Sequence, residues 1–278
     1  MEYFCFFCIY ITRAFPDDIE MKSMFDLASS IISYVRNNPY CKWIICEGSS
    51  DKIYLESMFN NEDIRILPMG GCRRVISLYN LLVNSINDEF IKGHKNKGLN
   101  ILCLIDTDEI KMDMFPNKDK MKVILMRRIQ GQYKDIDGNL QYAIELVDPF
   151  SDGKLYKKTE IEDCLSPKEY YNAIHNVITK DTIEDMSTIF SKFEFNENVP
   201  GSCIEGNYSI IYPKDVKDIV YKEKLLSYLS KGFVKYSVAL EYVKYNKEEC
   251  SQLEGCIRRN LGMEKPKNDF LDLFEFYS

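Results

Sequence analysis

Three groups of acidic residues stand where a sheet protein does chemistry. Glu47 follows the apolar run Trp43-Ile44-Ile45-Cys46, and Asp51 lies four residues further on. Asp106 and Asp108 follow a second apolar run, Ile101-Leu102-Cys103-Leu104-Ile105. Such short apolar runs mark buried parallel strands, and in an open α/β sheet ligands bind in the crevice at neighbouring strands' carboxyl ends. Carboxylates converging there repel one another unless a cation sits between them. A hard divalent ion such as Mg²⁺ takes oxygen ligands of this kind. The third group, Glu160, Glu162 and Asp163, reads on its own as an acidic helix N-terminus.

Other residues near these acids carry two readings each. Asp51 is either a ligand or a charge in the first turn of a helix, where it stabilises by a few tenths of a kcal/mol. Gly48, Gly70 and Gly71 permit close approach of the backbone to an ion or phosphate, or simply tight turns. Arg73 and Arg74 suit phosphate oxygens or a surface salt bridge. The lysines Lys214, Lys217, Lys222, Lys224, Lys231, Lys235, Lys244 and Lys247 form either a solvated helix face or a surface that tracks phosphates.

The elements that must position these groups alternate. An amphipathic helix spans Met24 to Val35, then a strand Lys42 to Cys46, a helix from the Ser49-Ser50 turn to about Phe59, and a strand Ile64 to Pro68. A helix from about Arg73 to Phe90 buries Val75, Ile76, Tyr79, Leu82 and Val83 on one face. A basic loop, Lys92 to Lys97, leads to the strand before Asp106. Alternation of this kind predicts a parallel sheet with right-handed crossovers. Val123 to Tyr133 and Leu140 to Val147 flank Asp135-Ile136-Asp137-Gly138-Asn139, a hairpin turn signal. Beyond Pro167 the pattern is helical: Lys168 to Val177, Thr182 to Phe193, Val216 to Leu229, Val234 to Tyr245 and Lys247 to Asn260. The expected division is an N-terminal segment and helix (1–40), an α/β domain (41–165) and a helical C-terminal region (166–278).

Composition bounds the rest. With 278 residues, 45% hydrophobic and 28% charged, the chain is globular, with core enough for one large or two small domains. Its net charge of −7 argues against a general nucleic-acid coat protein. Ten cysteines without disulfide-like spacing point to a reducing, cytoplasmic setting, and Cys5-x-x-Cys8 has no second pair at zinc-like distance. Tyr3 to Ile11 is too short to span a membrane, and Glu2 stands where a signal peptide would be basic. That stretch reads as an added strand or packed segment, and Met21 or Met24 serves equally as a start. His94 and His175, the only histidines, fall in no Ser/His or His/Cys arrangement, and no Gly-x-x-x-x-Gly-Lys-Ser/Thr loop is present. Nucleophilic hydrolase chemistry, zinc chemistry and a P-loop ATPase find no support.

Glu47-Gly48, Asp51 and the pair Asp106 and Asp108, in this order and with Gly70-Gly71 between, resemble the TOPRIM domain of topoisomerases, bacterial primases and several nucleases. The resemblance covers roughly residues 40 to 165. It implies a Rossmann-like parallel sheet flanked by helices, with the hairpin as an elaboration, and Mg²⁺ (or Mn²⁺) held by Glu47, Asp51, Asp106 and Asp108. Glu47 would also act as acid or base. The segment around Glu162 resembles one in nucleases of the OLD (overcoming-lysogenization-defect) family and in TOPRIM effector subunits of ATPase–nuclease phage-defence systems. There a later acid completes a two-metal site, which Glu162 matches best and Glu160 second.

These nucleases also use a late lysine. Lys231 is the candidate, with Lys235 close behind. The expectation is a metal-dependent endonuclease acting on DNA or RNA, with Arg73, Arg74, Lys231 and Lys235 on the backbone and a separate ABC/OLD-type ATPase as partner. A homodimer and no membrane association complete it. A non-catalytic TOPRIM-like binding subunit and an RNA-processing TOPRIM nuclease stay open as rivals.

Overall fold

The computed structural model describes residues 21–59, 63–93, 99–107, 123–136, 139–149, 158–180, 184–196, 210–245 and 252–263. Expectations for the first twenty residues, His94, Asp108, the rest of the basic loop and Lys247 fall outside them.

The chain folds as an α/β protein around a mostly parallel five-stranded sheet. After helix α1 (21–37) come β1 (Lys42–Cys46), α2 (Ser49–Met58), β2 (Ile64–Pro68), α3 (Cys72–Ser85), α4 (Asp88–Gly93) and β3 (Ile101–Ile105). The long hairpin β4 (Ile124–Ile136) and β5 (Asn139–Val147) completes the sheet in the order β2-β1-β3-β4-β5. β1 to β4 run parallel, and β5 returns antiparallel. β1 and β3, which carry the two acidic motifs, are hydrogen-bonded neighbours.

Alternate strand residues feed two cores, as a two-sided sheet requires. Ile45, Ile101, Cys103 and Ile105 pack with Ile31 and Val35 of α1 and with Val75, Tyr79 and Leu82 of α3. Ile44, Cys46, Leu102 and Leu104 face the other way, into a core shared with Tyr54 and Leu55 of α2. The same core takes Ala173 and Ile174 of α5 (Pro167–Lys180), Val238 and Tyr242 of α8 (Gly232–Tyr245) and Ile257 of α9 (Gln252–Leu261). The C-terminal helices are thus the second layer of the sheet. α9 also covers the edge strand, where the Gln252 side chain accepts the Ile144 N–H at 3.0 Å and donates to the Tyr142 carbonyl at 3.3 Å. Paired edges of this kind blunt edge-to-edge association.

Three expected helices are corrected. The run from Arg73 to Phe90 breaks between α3 and α4, because the Asn87 side chain accepts the Phe90 N–H at 2.8 Å and starts a new helix. The run from Thr182 ends at Phe190 in α6 (Glu184–Phe190), and Phe193 opens β6 (Phe193–Phe195), which pairs with β7 (Ile211–Pro213). Val216 to Leu229 divides into a 3-10 turn (Val216–Tyr221) and α7 (Lys222–Leu229). The last helix is described only from Gln252, and it ends at Leu261. No helix among the described residues is long and apolar enough to cross a membrane.

Candidate functional site

β1 and β3 end side by side, and their acids are joined. The Asp106 backbone N–H donates to Glu47 Oε1 at 3.0 Å. Glu47 is itself fixed from below: the N–H groups of Gly70 and Gly71 donate to its carbonyl at 2.7 and 2.8 Å. Both glycines have positive φ, 81° and 126°, the region that disfavours a side chain. The Gly-Gly turn therefore holds the Glu47 backbone, and Gly71 then caps α3.

Asp51 sits at the third position of α2 and reaches back to accept the Gly48 N–H at 2.7 Å. The Ser50 hydroxyl adds a longer contact at 3.4 Å. Asp51 is buried. Burial pushes its carboxyl up, against the pull of the Gly48 hydrogen bond and the Lys235 charge.

The third acidic segment is tied to the second. Thr107 and Thr159 form an isolated antiparallel bridge, N–H to carbonyl in both directions at 2.9 and 3.1 Å. The Thr159 hydroxyl also accepts the Gly131 N–H at 3.1 Å. This brings the 3-10 turn Ile161–Cys164 against the strand ends. Asp163 caps that turn by accepting the Glu160 N–H at 2.8 Å. Glu162 is buried, and burial, opposed by Lys235 and aided by Glu160 and Asp51, pushes its carboxyl up to about 8.

Asp106 stands at the electrostatic centre. The residue keeps an edge open to solvent, but protein packs around its carboxyl. Burial, and then the charges of Asp51, Glu47, Glu162 and Glu160, raise it well above the usual carboxylate range. The ammonium set among these acids is Lys235 of α8, whose Nζ lies 2.7 Å from Glu160 Oε2. Burial works against its charge, yet Glu162, Glu160 and Asp106 more than offset this and raise it.

The structure thus brings together Glu47, Asp51, Asp106, Glu162 and Lys235, with Glu160 as the lysine's partner. It does not bring Lys231 there. Lys231 is exposed just before α8, its Nζ 5.3 Å from the Tyr228 ring centre. Lys235 lies within α8, which packs on α2. Arg73 and Arg74 are exposed in the first turn of α3, beside the Gly-Gly turn. Much of the remaining basic run is engaged locally: Lys217 with Asp215, Lys244 with buried Glu241, and Lys214 with the Ser191 carbonyl.

Sequence reasoning missed Tyr54. It is fully buried one turn after Asp51, edge-on to Tyr242 at 5.7 Å. Its carboxylate neighbours, after burial itself, raise its hydroxyl well above the usual tyrosine range. The three-residue step from Asp51 within α2 is the signal that would have found it.

Among the described residues, no three His, Cys, Asp or Glu side chains are gathered closely enough to hold a metal ion as they stand. The chemistry of the donor set nevertheless fits a hard divalent cation. Five carboxylates interact here, Asp106 is raised by its acidic neighbours as well as by burial, and one ammonium stands among them. Comparison with protein-family models, with curated proteins and with solved structures found no match to this chain.

Proposed function

We propose that this chain is a Mg²⁺-dependent nuclease of the TOPRIM kind, an effector that works beside a separate ATPase on DNA or RNA. The observation that carries the reading is the hydrogen bond from the Asp106 backbone N–H to Glu47 Oε1, which joins the two acidic strand ends. Glu47, Asp51 and Asp106 would hold one ion, and Glu162 with Asp108 a second. When bound, the ions supply an activated water and stabilise the leaving oxygen of the phosphodiester. Burial raises the Glu162 carboxyl to about 8 in the metal-free chain, so a cation held there would displace its proton. Lys235 offers an ammonium to phosphate oxygens at the same edge. Arg73 and Arg74, at the start of α3, reach toward the backbone from the neighbouring strand end.

A second reading, a non-catalytic binding subunit of the same fold, draws on a different observation. Lys235 already partly neutralises the acids, as a site without a metal would require. Cleavage of labelled DNA and RNA by purified chain, with Mg²⁺ or with chelator, alone and with a neighbouring ATPase, separates the two. Metal-dependent cleavage lost in Glu47→Gln supports the nuclease. Binding without cleavage under every condition supports the subunit.

A further inference from the structure

β4 outruns its parallel neighbour. The register between β3 and β4 stops at Ile105 and Arg128, while β4 continues to Ile136. Just past that point two threonine hydroxyls bond to the β4 backbone. Thr107 donates to the Ile129 carbonyl, and Thr159 accepts the Gly131 N–H at 3.1 Å. Both threonines are 1% exposed. A buried hydroxyl is costly unless it is hydrogen-bonded, and valine would fill the same space without one. What threonine supplies at both positions is therefore the bond to β4.

These bonds bear on the acids because of what flanks them. Asp106 precedes Thr107, and Glu160 and Glu162 follow Thr159. The two threonines bond each other, N–H to carbonyl in both directions at 2.9 and 3.1 Å, as an isolated bridge. A single bridge is a pivot. The two hydroxyls give it a second line of attachment, to β4, and so fix the Ile161–Cys164 turn relative to the end of β3. Lys235 Nζ, 2.7 Å from Glu160 Oε2, ties the same segment to α8.

We propose that Thr107 and Thr159 are positioning residues, whose hydroxyls hold Glu162 in register with Asp106 for a shared cation site. The inference rests on the metal-binding reading of the cleft. Calorimetric titration of the intact metal-free chain with Mn²⁺ tests it. Thr159→Val and Thr107→Val keep the branched shape and lose the hydroxyl, and each should weaken Mn²⁺ binding by roughly tenfold or more. Thr159→Ser and Thr107→Ser keep the hydroxyl and should restore it. In a Glu162→Gln chain, where Glu47, Asp51 and Asp106 still hold an ion, Thr159→Val should weaken binding little further, since the ligand it positions is gone. Thermal unfolding checks that each variant is folded at the titration temperature, and Thr107→Val carries the same comparison if Thr159→Val is not. Valine variants that bind like the wild type would overturn the positioning role and leave the metal reading standing. So would a loss equally large with and without Glu162→Gln. A wild type with no saturable binding would overturn the metal reading itself, and the positioning role with it.

Discussion

The Asp106 N–H donates to Glu47 Oε1 at 3.0 Å, across the hydrogen-bonded pair of strands that ends in both residues. A side chain from one strand thus satisfies the backbone of its neighbour where the sheet stops. The two acids are held in one place by the same bond, and their approach leaves a local excess of negative charge that Lys235 offsets only in part.

That relationship sets the expected behaviour of Glu47→Gln. The amide oxygen still accepts the Asp106 N–H, while one charge leaves the cluster. Thermal stability of the metal-free protein should stay level or rise slightly, and cleavage should disappear. A melting temperature lowered by many degrees would assign Glu47 a structural role instead.

Stability should also depend on pH in a definite direction. Burial raises Asp106, Asp51 and Glu162, the last to about 8, and at Asp106 the neighbouring acids add to it. The folded metal-free chain then retains protons that unfolded carboxylates, titrating near about 4, have released. Where the folded state binds more protons, stability falls as pH rises. The fall belongs between roughly pH 4 and pH 8, while Lys235 remains charged throughout. Glu162→Gln should flatten it, and melting curves collected across that range measure the difference. A variant whose curves follow the wild type would remove Glu162 from the cluster.

Lys235 and Lys231 should separate cleanly. Lys235→Met leaves Glu160 without its 2.7 Å partner and should cost about 1–2 kcal/mol in denaturant unfolding, along with most of any cleavage. Lys231→Met gives up one cation–π interaction on an exposed turn, about 0.5 kcal/mol. Equal effects of the two changes would contradict the assignment of Lys235 to the cleft.

Nucleic-acid binding should run through the start of α3. Replacing Arg73 and Arg74 by Gln should weaken binding and lower the slope of log K on log salt by about 0.9 for each phosphate of duplex DNA that is no longer neutralised. Affinity and slope both at wild-type values would move the backbone-binding surface elsewhere, first to the exposed lysines of the C-terminal helices.

Much of this was legible in the sequence, for identifiable reasons. β1 and β2 fall at the expected residues, because short apolar runs ended by Gly or Pro leave little choice. Glu47 and Asp106 follow directly from the strand ends. Lys235 could not be told from Lys231, since four residues on a helix share a face and only the start of α8 at Gly232 removes Lys231 from it. The β6–β7 pair was hidden because each strand is three residues long and its partner is distant in the chain. The break before α4 is readable in principle from Asn87-Asp88, a capping signal masked by the strong apolar period around it.

The central claim is that the carboxylates at the ends of β1 and β3 hold a divalent cation. Calorimetric titration of the intact metal-free chain with Mn²⁺ tests it without reference to any substrate. The account predicts saturable binding, weakened in Glu47→Gln and in Asp106→Asn by at least the 10–100-fold typical of changes one shell further out. Absence of saturable binding, or binding equally tight in both variants, would contradict it.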